Sequence, residues 1–257
     1  MTEKIEGFVL DIIKHSDSHD VVTLFTRSRG RVSFLSSASR GKSGKMRAAR
    51  LLPLACVSAQ VNFRQNRELQ FLPAITPVVV WRNIYFNPVK SSLVFFISEF
   101  LNGLLRQAPP DEALWNCIME IVSALDDAPA DRLQNFHIAT LVRLLGPTGI
   151  LPPLENYRPG LLFDMQKADF VSFHGYYERD NNTSLPDCGK NNSSILSARE
   201  SAFLPLLSRI SLLNQHRFRF SVEQRDQTLD RLLKFFSLHL PVSPNLKSLE
   251  ILHALFS

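Results

Sequence analysis

Hydrophobic and polar positions follow two different periods along the chain, and the change falls near Pro77. Before it, the apolar runs are short, rich in β-branched side chains and partly alternating, as strands require. Ile5 to Ile13 and Asp20 to Thr26 predict strands, and Ser28-Arg29-Gly30, between Phe25 and Val32, has the three-residue, glycine-bearing form of a hairpin turn. Leu54 to Phe63 and Leu69 to Leu72 flank Gln65-Asn66-Arg67 and place Val61, Phe63, Leu69 and Phe71 on one face, which predicts a second hairpin. About five short strands in roughly seventy residues is the size of a small closed barrel, and the OB-fold is the commonest of that size with a nucleic-acid habit.

After Pro77 the period becomes 3.6. Leu93, Phe96, Ile97, Phe100, Leu101 and Leu104 form one helical stripe after Pro88, and Leu114, Ile118, Ile121, Val122 and Leu125 form another that ends near Asp126-Asp127-Ala128-Pro129. A third helix is expected from Asp131, carrying Leu133, Phe136, Leu141, Leu144 and Leu145, until Gly146-Pro147 stops it. Ser197 to Glu200 and Ser221 to Gln224 are capping boxes that open two more. Between the third helix and the first of these two lie a strand-like Leu161 to Phe173 and two polar stretches, Asp-Asn-Asn-Thr-Ser and Gly-Lys-Asn-Asn-Ser-Ser. The expected fold class is α+β: an OB-fold β-barrel over residues 1–77, then a helical domain over 78–257 with residues 147–194 as an irregular insertion. The apolar stripes read as core, and Asp126-Asp127 as a solvated helix end.

Charge sharpens this picture. The 257-residue chain is 45% hydrophobic, ordinary for a globular protein, with a formal net charge of +5. Residues 1–80 hold twelve Lys/Arg against six Asp/Glu, and the remainder seventeen against eighteen, so the excess sits in the N-terminal third. From Val21 to Arg67 there are ten basic residues and no carboxylate, a one-sign field that attracts phosphate backbones. Gly41-Lys42-Ser43 ends like a nucleotide-binding P-loop, but Ser36 stands where the first glycine is needed. The second register, Gly44-Lys45, has Ser39 and Met46 at the required glycine and hydroxyl. The stretch therefore suits a polyanion better than one triphosphate. Candidate DNA contacts are Arg27, Arg29, Arg31, Arg40, Lys42, Lys45, Arg47 and Arg50. Phe34 and Phe63 stand beside arginines as stacking candidates, but both fit barrel-core positions better.

The N-terminus lacks a signal-peptide pattern and no run approaches a membrane span, so a cytoplasmic, nucleoid-associated location and no membrane partner are expected. Cys56, Cys117 and Cys188 are odd in number and far apart, which argues against a disulfide framework; the first two read as buried free thiols. No catalytic constellation stands out, and neither enzyme activity nor a cofactor is expected. A cryptic nuclease and an RNA-binding or membrane-surface adaptor using the same basic face are the competing classes.

In order, Glu6-Gly7-Phe8-Val9-Leu10, Val22-Thr23-Leu24-Phe25-Thr26, Arg40-Gly41-Lys42-Ser43, Glu68-Leu69-Gln70-Phe71, Leu144-Leu145-Gly146, Pro152 to Tyr157, Leu162-Phe163-Asp164 and Leu246 to Leu252 resemble the RecO family of bacterial recombination mediators. The resemblance implies a DNA-binding, strand-annealing protein of repair that helps load a recombinase onto single strands coated by single-stranded-DNA-binding protein. It implies contacts with single- and double-stranded DNA, with the ring-forming RecR mediator through the barrel, and with the acidic, apolar-ended tail of single-stranded-DNA-binding protein through the helices. Arg106, Arg132 and Arg143 are the candidates for that tail. Many members bind zinc through four cysteines in the insertion. Here only Cys188 and His174 fall there, so no metal is expected.

Overall fold

A computed structural model describes residues 2–37, 51–64, 67, 69–172, 194–243 and 246–256. The N-terminal third forms six strands: β1 (Thr2–Lys14), β2 (His19–Thr26), β3 (Gly30–Ser37), β4 (Cys56–Asn62), β5 (Gln70–Phe71) and β6 (Ile75–Pro77). Their order is β5-β3-β2-β1-β4-β6, antiparallel except for the parallel pair β3–β5. The sheet curls into an OB-like half-barrel around Ile5, Val9, Val22, Leu24, Phe34, Val61 and Leu72.

The expected first hairpin is present. Thr26 pairs with Gly30 across Arg27-Ser28-Arg29, and Gly30 takes φ +67°. A side chain there would also meet the chain after the first helix, since a Cβ would lie 2.2 Å from the Ala108 carbonyl oxygen. The expected second hairpin does not form: β5 pairs in parallel with β3, Phe34 opposite Gln70 and Leu35 opposite Phe71. The reason is Gln70, whose buried amide occupies the backbone after β4. Its Oε1 accepts from Arg64 N at 2.9 Å, and its Nε2 donates to the carbonyls of Arg64 at 2.9 Å and Arg67 at 2.6 Å. A side chain thus closes the β4–β5 seam where a ladder was expected.

β1 is buried on both faces over Gly7–Leu10, and there its sequence is continuously apolar. Ile5 and Val9 point into the barrel, whereas Phe8 and Leu10 join the core of the helices. A bulge between Val9 and Asp11 sets Leu10 against the first helix, where Ser98 Oγ donates to the Leu10 carbonyl at 2.6 Å.

Six helices follow among the described residues: α1 (Pro88–Leu104), α2 (Glu112–Asp127), α3 (Phe136–Leu145), α4 (Ala198–Leu207), α5 (Val222–His239) and α6 (Leu249–Phe256). Asn87 and Asp111 cap α1 and α2, and both capping boxes, at Ser197 and Ser221, are reciprocal. The α1 stripe is fully buried at Leu93, Phe96, Ile97 and Phe100, and Phe100 meets Phe236 of α5 edge to face at 5.0 Å between ring centres. The third helix starts later than its periodicity suggests. A 3-10 turn spans Ala130–Arg132, and Asn135, whose N–H and Nδ2 donate to Gln215 Oε1 and the Gln215 carbonyl at 3.0 Å each, precedes Phe136.

Asp126 corrects another expectation. It is 7% exposed, and its carboxylate accepts from the N–H groups of Arg82, Asn83 and Ile84 at 3.0, 2.7 and 3.0 Å. Its carbonyl takes Lys90 Nζ at 2.6 Å. Asp126 therefore organises the segment between barrel and bundle, and only Asp127 is exposed. The strand-like Leu161 to Phe173 is split into a small hairpin, β7 (Leu161–Asp164) and β8 (Asp169–Ser172), because the buried Asp164 carboxylate accepts from Gln166 N and Lys167 N and turns the chain.

Candidate nucleic-acid interface

The basic residues of the sequence fall into three groups. The first lies on the β2–β3 hairpin. Arg27 Nε donates to Glu112 Oε2 at 2.9 Å and its Nη2 bonds the other oxygen, with the guanidinium 6.0 Å from the Trp115 ring centre. The pair raises the Arg27 pKa and lowers that of Glu112. Arg29 bonds Glu3 through Nε at 2.9 Å and Nη2 at 2.6 Å and lies 3.9 Å over the Phe63 ring; these bonds hold the Glu3 carboxyl below its usual range. Arg31 is half-buried and donates from Nη2 to Asn102 Oδ1 at 2.9 Å. Burial and then the neighbouring charge of Arg106 depress its pKa. The stretch without a carboxylate in sequence is thus partly neutralised in space by Glu3 and Glu112, and these three arginines also fasten the hairpin to β1, α2 and α1.

The second group, Arg40, Lys42, Lys45, Arg47 and Arg50, lies outside the described residues, as do His174 and Cys188. The point where the chain re-enters the description is firmly held. Leu54, fully buried at φ 59°, donates its N–H to the Val9 carbonyl at 2.7 Å, and its own carbonyl accepts Trp81 Nε1 at 3.2 Å. Tyr85 Oη donates to the Pro53 carbonyl at 3.0 Å. Pro53 and Leu54 are therefore fastened to β1 and to the segment before α1.

The third group was not singled out from the sequence. Arg64 and Arg67 are exposed beside the β4–β5 seam and line a cavity of about 380 Å³ with Gln60, Asn62, Phe71 and Pro73. Neither guanidinium pairs with a carboxylate among the described residues. Alternation along the strands aims these groups outward. Gln60 and Asn62 are exposed while Ala59 and Val61 are buried, and Phe71 is 44% exposed between buried Gln70 and Leu72. Of the aromatics considered from sequence, Phe34 is in the barrel core and Phe63 is half-buried under Arg29.

In the helical part, Arg106 lies by the hairpin, Arg132 is exposed in the 3-10 turn, and Arg143 bonds Glu120 of α2 at 2.8 Å. None of the three lines a cavity of about 660 Å³ whose apolar walls include Leu145, Phe163, Leu196, Phe203 and Phe235. Arg199 and Arg231 stand at its edge, with Arg231 bonded to Glu200 at 2.8 Å. Cys56 and Cys117 are buried free thiols, and burial pushes the first up to about 12 and the second to about 11, far from a reactive thiolate. Among the described residues, no cluster of His, Cys, Asp and Glu suits a metal ion, and no helix is long and apolar enough to cross a membrane.

Comparison with known proteins matches residues 1–79 to the family "Recombination protein O N terminal" and residues 85–250 to "Recombination protein O C terminal". The chain is similar to the DNA repair protein RecO of Porphyromonas gingivalis, 31% identical over 255 residues and 97% of each chain. It is also similar to those of Phocaeicola vulgatus, 29% identical over 257 residues, and Bacteroides fragilis, 28% identical over 256, each over the full length of both chains.

Proposed function

The chain belongs to the RecO family of DNA repair proteins, and from that premise we propose that it is a non-catalytic mediator that binds single- and double-stranded DNA and anneals complementary strands. The observation that carries this reading is a run of ten basic residues without an intervening carboxylate, attached to an OB-like barrel. Annealing needs two phosphate backbones held close with their repulsion reduced, which a basic loop supplies by displacing counterions and without ATP. Arg40, Lys42, Lys45, Arg47 and Arg50 make the principal backbone contacts. Arg27, Arg29 and Arg31 set the position of the hairpin and add to the field.

In this reading the barrel also receives the RecR ring, and the helical part receives the tail of single-stranded-DNA-binding protein, so that a recombinase gains the uncovered strand. A terminal carboxylate preceded by an apolar side chain asks for an apolar slot with a cation at its mouth. The cavity edged by Arg199 supports that role more directly than Arg106, Arg132 or Arg143. The test of the whole reading is annealing of two complementary labelled oligonucleotides by the full chain, with magnesium or manganese and no nucleotide. Duplex forms faster than in buffer and both strands stay intact. Unaccelerated annealing counts against the mediator, and shortened strands indicate a nuclease.

A further inference from the structure

The β4–β5 seam combines three features that a phosphate-binding surface alone does not need. It has an aromatic side chain exposed at the mouth of a cavity, two arginines on the flanking turn, and carboxamides on the adjacent strand. We infer that this cavity seats one unpaired nucleotide of a DNA strand. The base stacks on Phe71, its edge meets the Gln60 and Asn62 amides, and the adjoining phosphates lie against Arg64 and Arg67. The inference rests on the DNA-binding reading above and deepens it, because it assigns the choice of single strands to a particular place.

The seat is built rather than improvised. Gln70 forms its floor, with three hydrogen bonds of 2.6 to 2.9 Å to the backbone of Arg64 and Arg67, so the main chain at both arginines is held against the strand carrying Phe71. Leu72 N donates to the Leu35 carbonyl at 2.8 Å and locks the other side of β5 to β3. At about 380 Å³ the cavity falls at the lower end of the range for small-ligand sites, roughly 300–1,000 Å³. Its described lining residues carry two cations and no carboxylate, which suits a phosphate. The occupant must offer an aromatic face and negative charge together. A duplex presents phosphates outward and keeps its base faces stacked, whereas an unpaired strand presents both, and base–aromatic stacking accepts any base.

The experiment is a fluorescence-anisotropy titration of the full chain with labelled oligonucleotides of one length: single-stranded, duplex, and single-stranded with abasic sites. Wild type, Phe71→Ala, Phe71→Leu and Phe71→Trp are compared. Alanine and leucine should weaken single-strand binding about tenfold, the loss expected for one stacked base. Tryptophan should restore it, and duplex binding should not move. Wild type should favour the base-bearing strand over the abasic one by a larger factor than the alanine variant does, a ratio taken within each protein. Wild-type single-strand binding that survives both alanine and leucine, or an equal loss on duplex, overturns the seat and leaves the DNA reading intact. Wild type that binds none of the oligonucleotides overturns both.

Discussion

Arg27, at the tip of the first hairpin, closes a two-point ion pair on Glu112, in the first turn of α2, across 85 positions of sequence. Both side chains are about half exposed, at 51% and 53%, so the pair is screened and adds little to stability. Its consequence is electrostatic. Glu112 offsets one of the positive charges of the barrel, and it does so from outside the basic run.

Glu112→Gln should therefore strengthen binding of single-stranded DNA and steepen its salt dependence. One additional phosphate contact corresponds to a change of about 0.7 in the slope of log affinity against log salt. Anisotropy titrations at four salt concentrations measure it, and an unchanged or shallower slope would show that Arg27 faces away from the bound strand.

Replacing Arg40, Lys42, Lys45, Arg47 and Arg50 with alanine should weaken DNA binding for all sequences alike and flatten the salt slope by up to about 3.5 for a single strand, five contacts at about 0.7 each. The melting temperature serves as the control and should stay within a few degrees. Retained affinity and slope would remove this segment from the interface.

Asp126→Ala should be among the most damaging single changes. It leaves the N–H groups of Arg82, Asn83 and Ile84 without their acceptor at the junction of barrel and bundle. Only the Ile84 bond is fully buried, and an orphaned buried donor costs about 1–3 kcal/mol, so a loss of roughly 2–3 kcal/mol is expected in urea denaturation. Asp126→Asn, which keeps one oxygen in place, should recover part of it. An alanine variant as stable as wild type would refute the role assigned to this carboxylate.

His137 supplies a pH dependence. Burial, followed by the charges of Arg225 and His253, drives its pKa from 6.5 to about 3. Its ring lies over Phe256 at 5.3 Å between centres, and among the described residues its Nδ1 has no hydrogen-bond partner. The imidazole is neutral in the fold and takes a proton in the unfolded chain below about 6.5. Its contribution is thus whole above that value and declines as the pH falls toward 3, by about 1.4 kcal/mol per unit. His137→Phe should make unfolding free energy less steep between pH 6 and 4 than in wild type, as read by urea titrations at each pH. Parallel curves would show that other groups set the acid limit.

What the sequence revealed and concealed follows from the range of the interactions. The α1 stripe and the capping boxes at Ser197 and Ser221 depend on partners a few positions away, and period and spacing are enough to identify them. The turn at Gly30 is legible for the same reason. Glu112 lies 85 positions from Arg27 and Glu3 lies 26 from Arg29, so the neutralised charges could not be seen in a linear count. Asp126 has the composition of a solvated helix end, and only the return of residues 82–84 to its carboxylate makes it a hub. Phe71 belonged to an expected hairpin face. Its outward placement depends on the β5 pairing with β3, which Gln70 decides through its side chain.

Phe8 of β1 and Trp115 of α2 touch with ring centres 4.7 Å apart, and Phe25, Leu54 and Cys56 belong to the same buried cluster as α1 and α5. The segment between strands and helices adds Trp81 and Ile84 to that cluster instead of running through solvent as a tether. A strand tugging on the barrel thus meets no slack. The load passes through interlocked rings into the bundle, and separating the halves means shearing a packed interior rather than straightening a leash. A partner and a nucleic acid bound as proposed would have one packed body between them, whose spacing is set by packing and does not wander with the length of a connector.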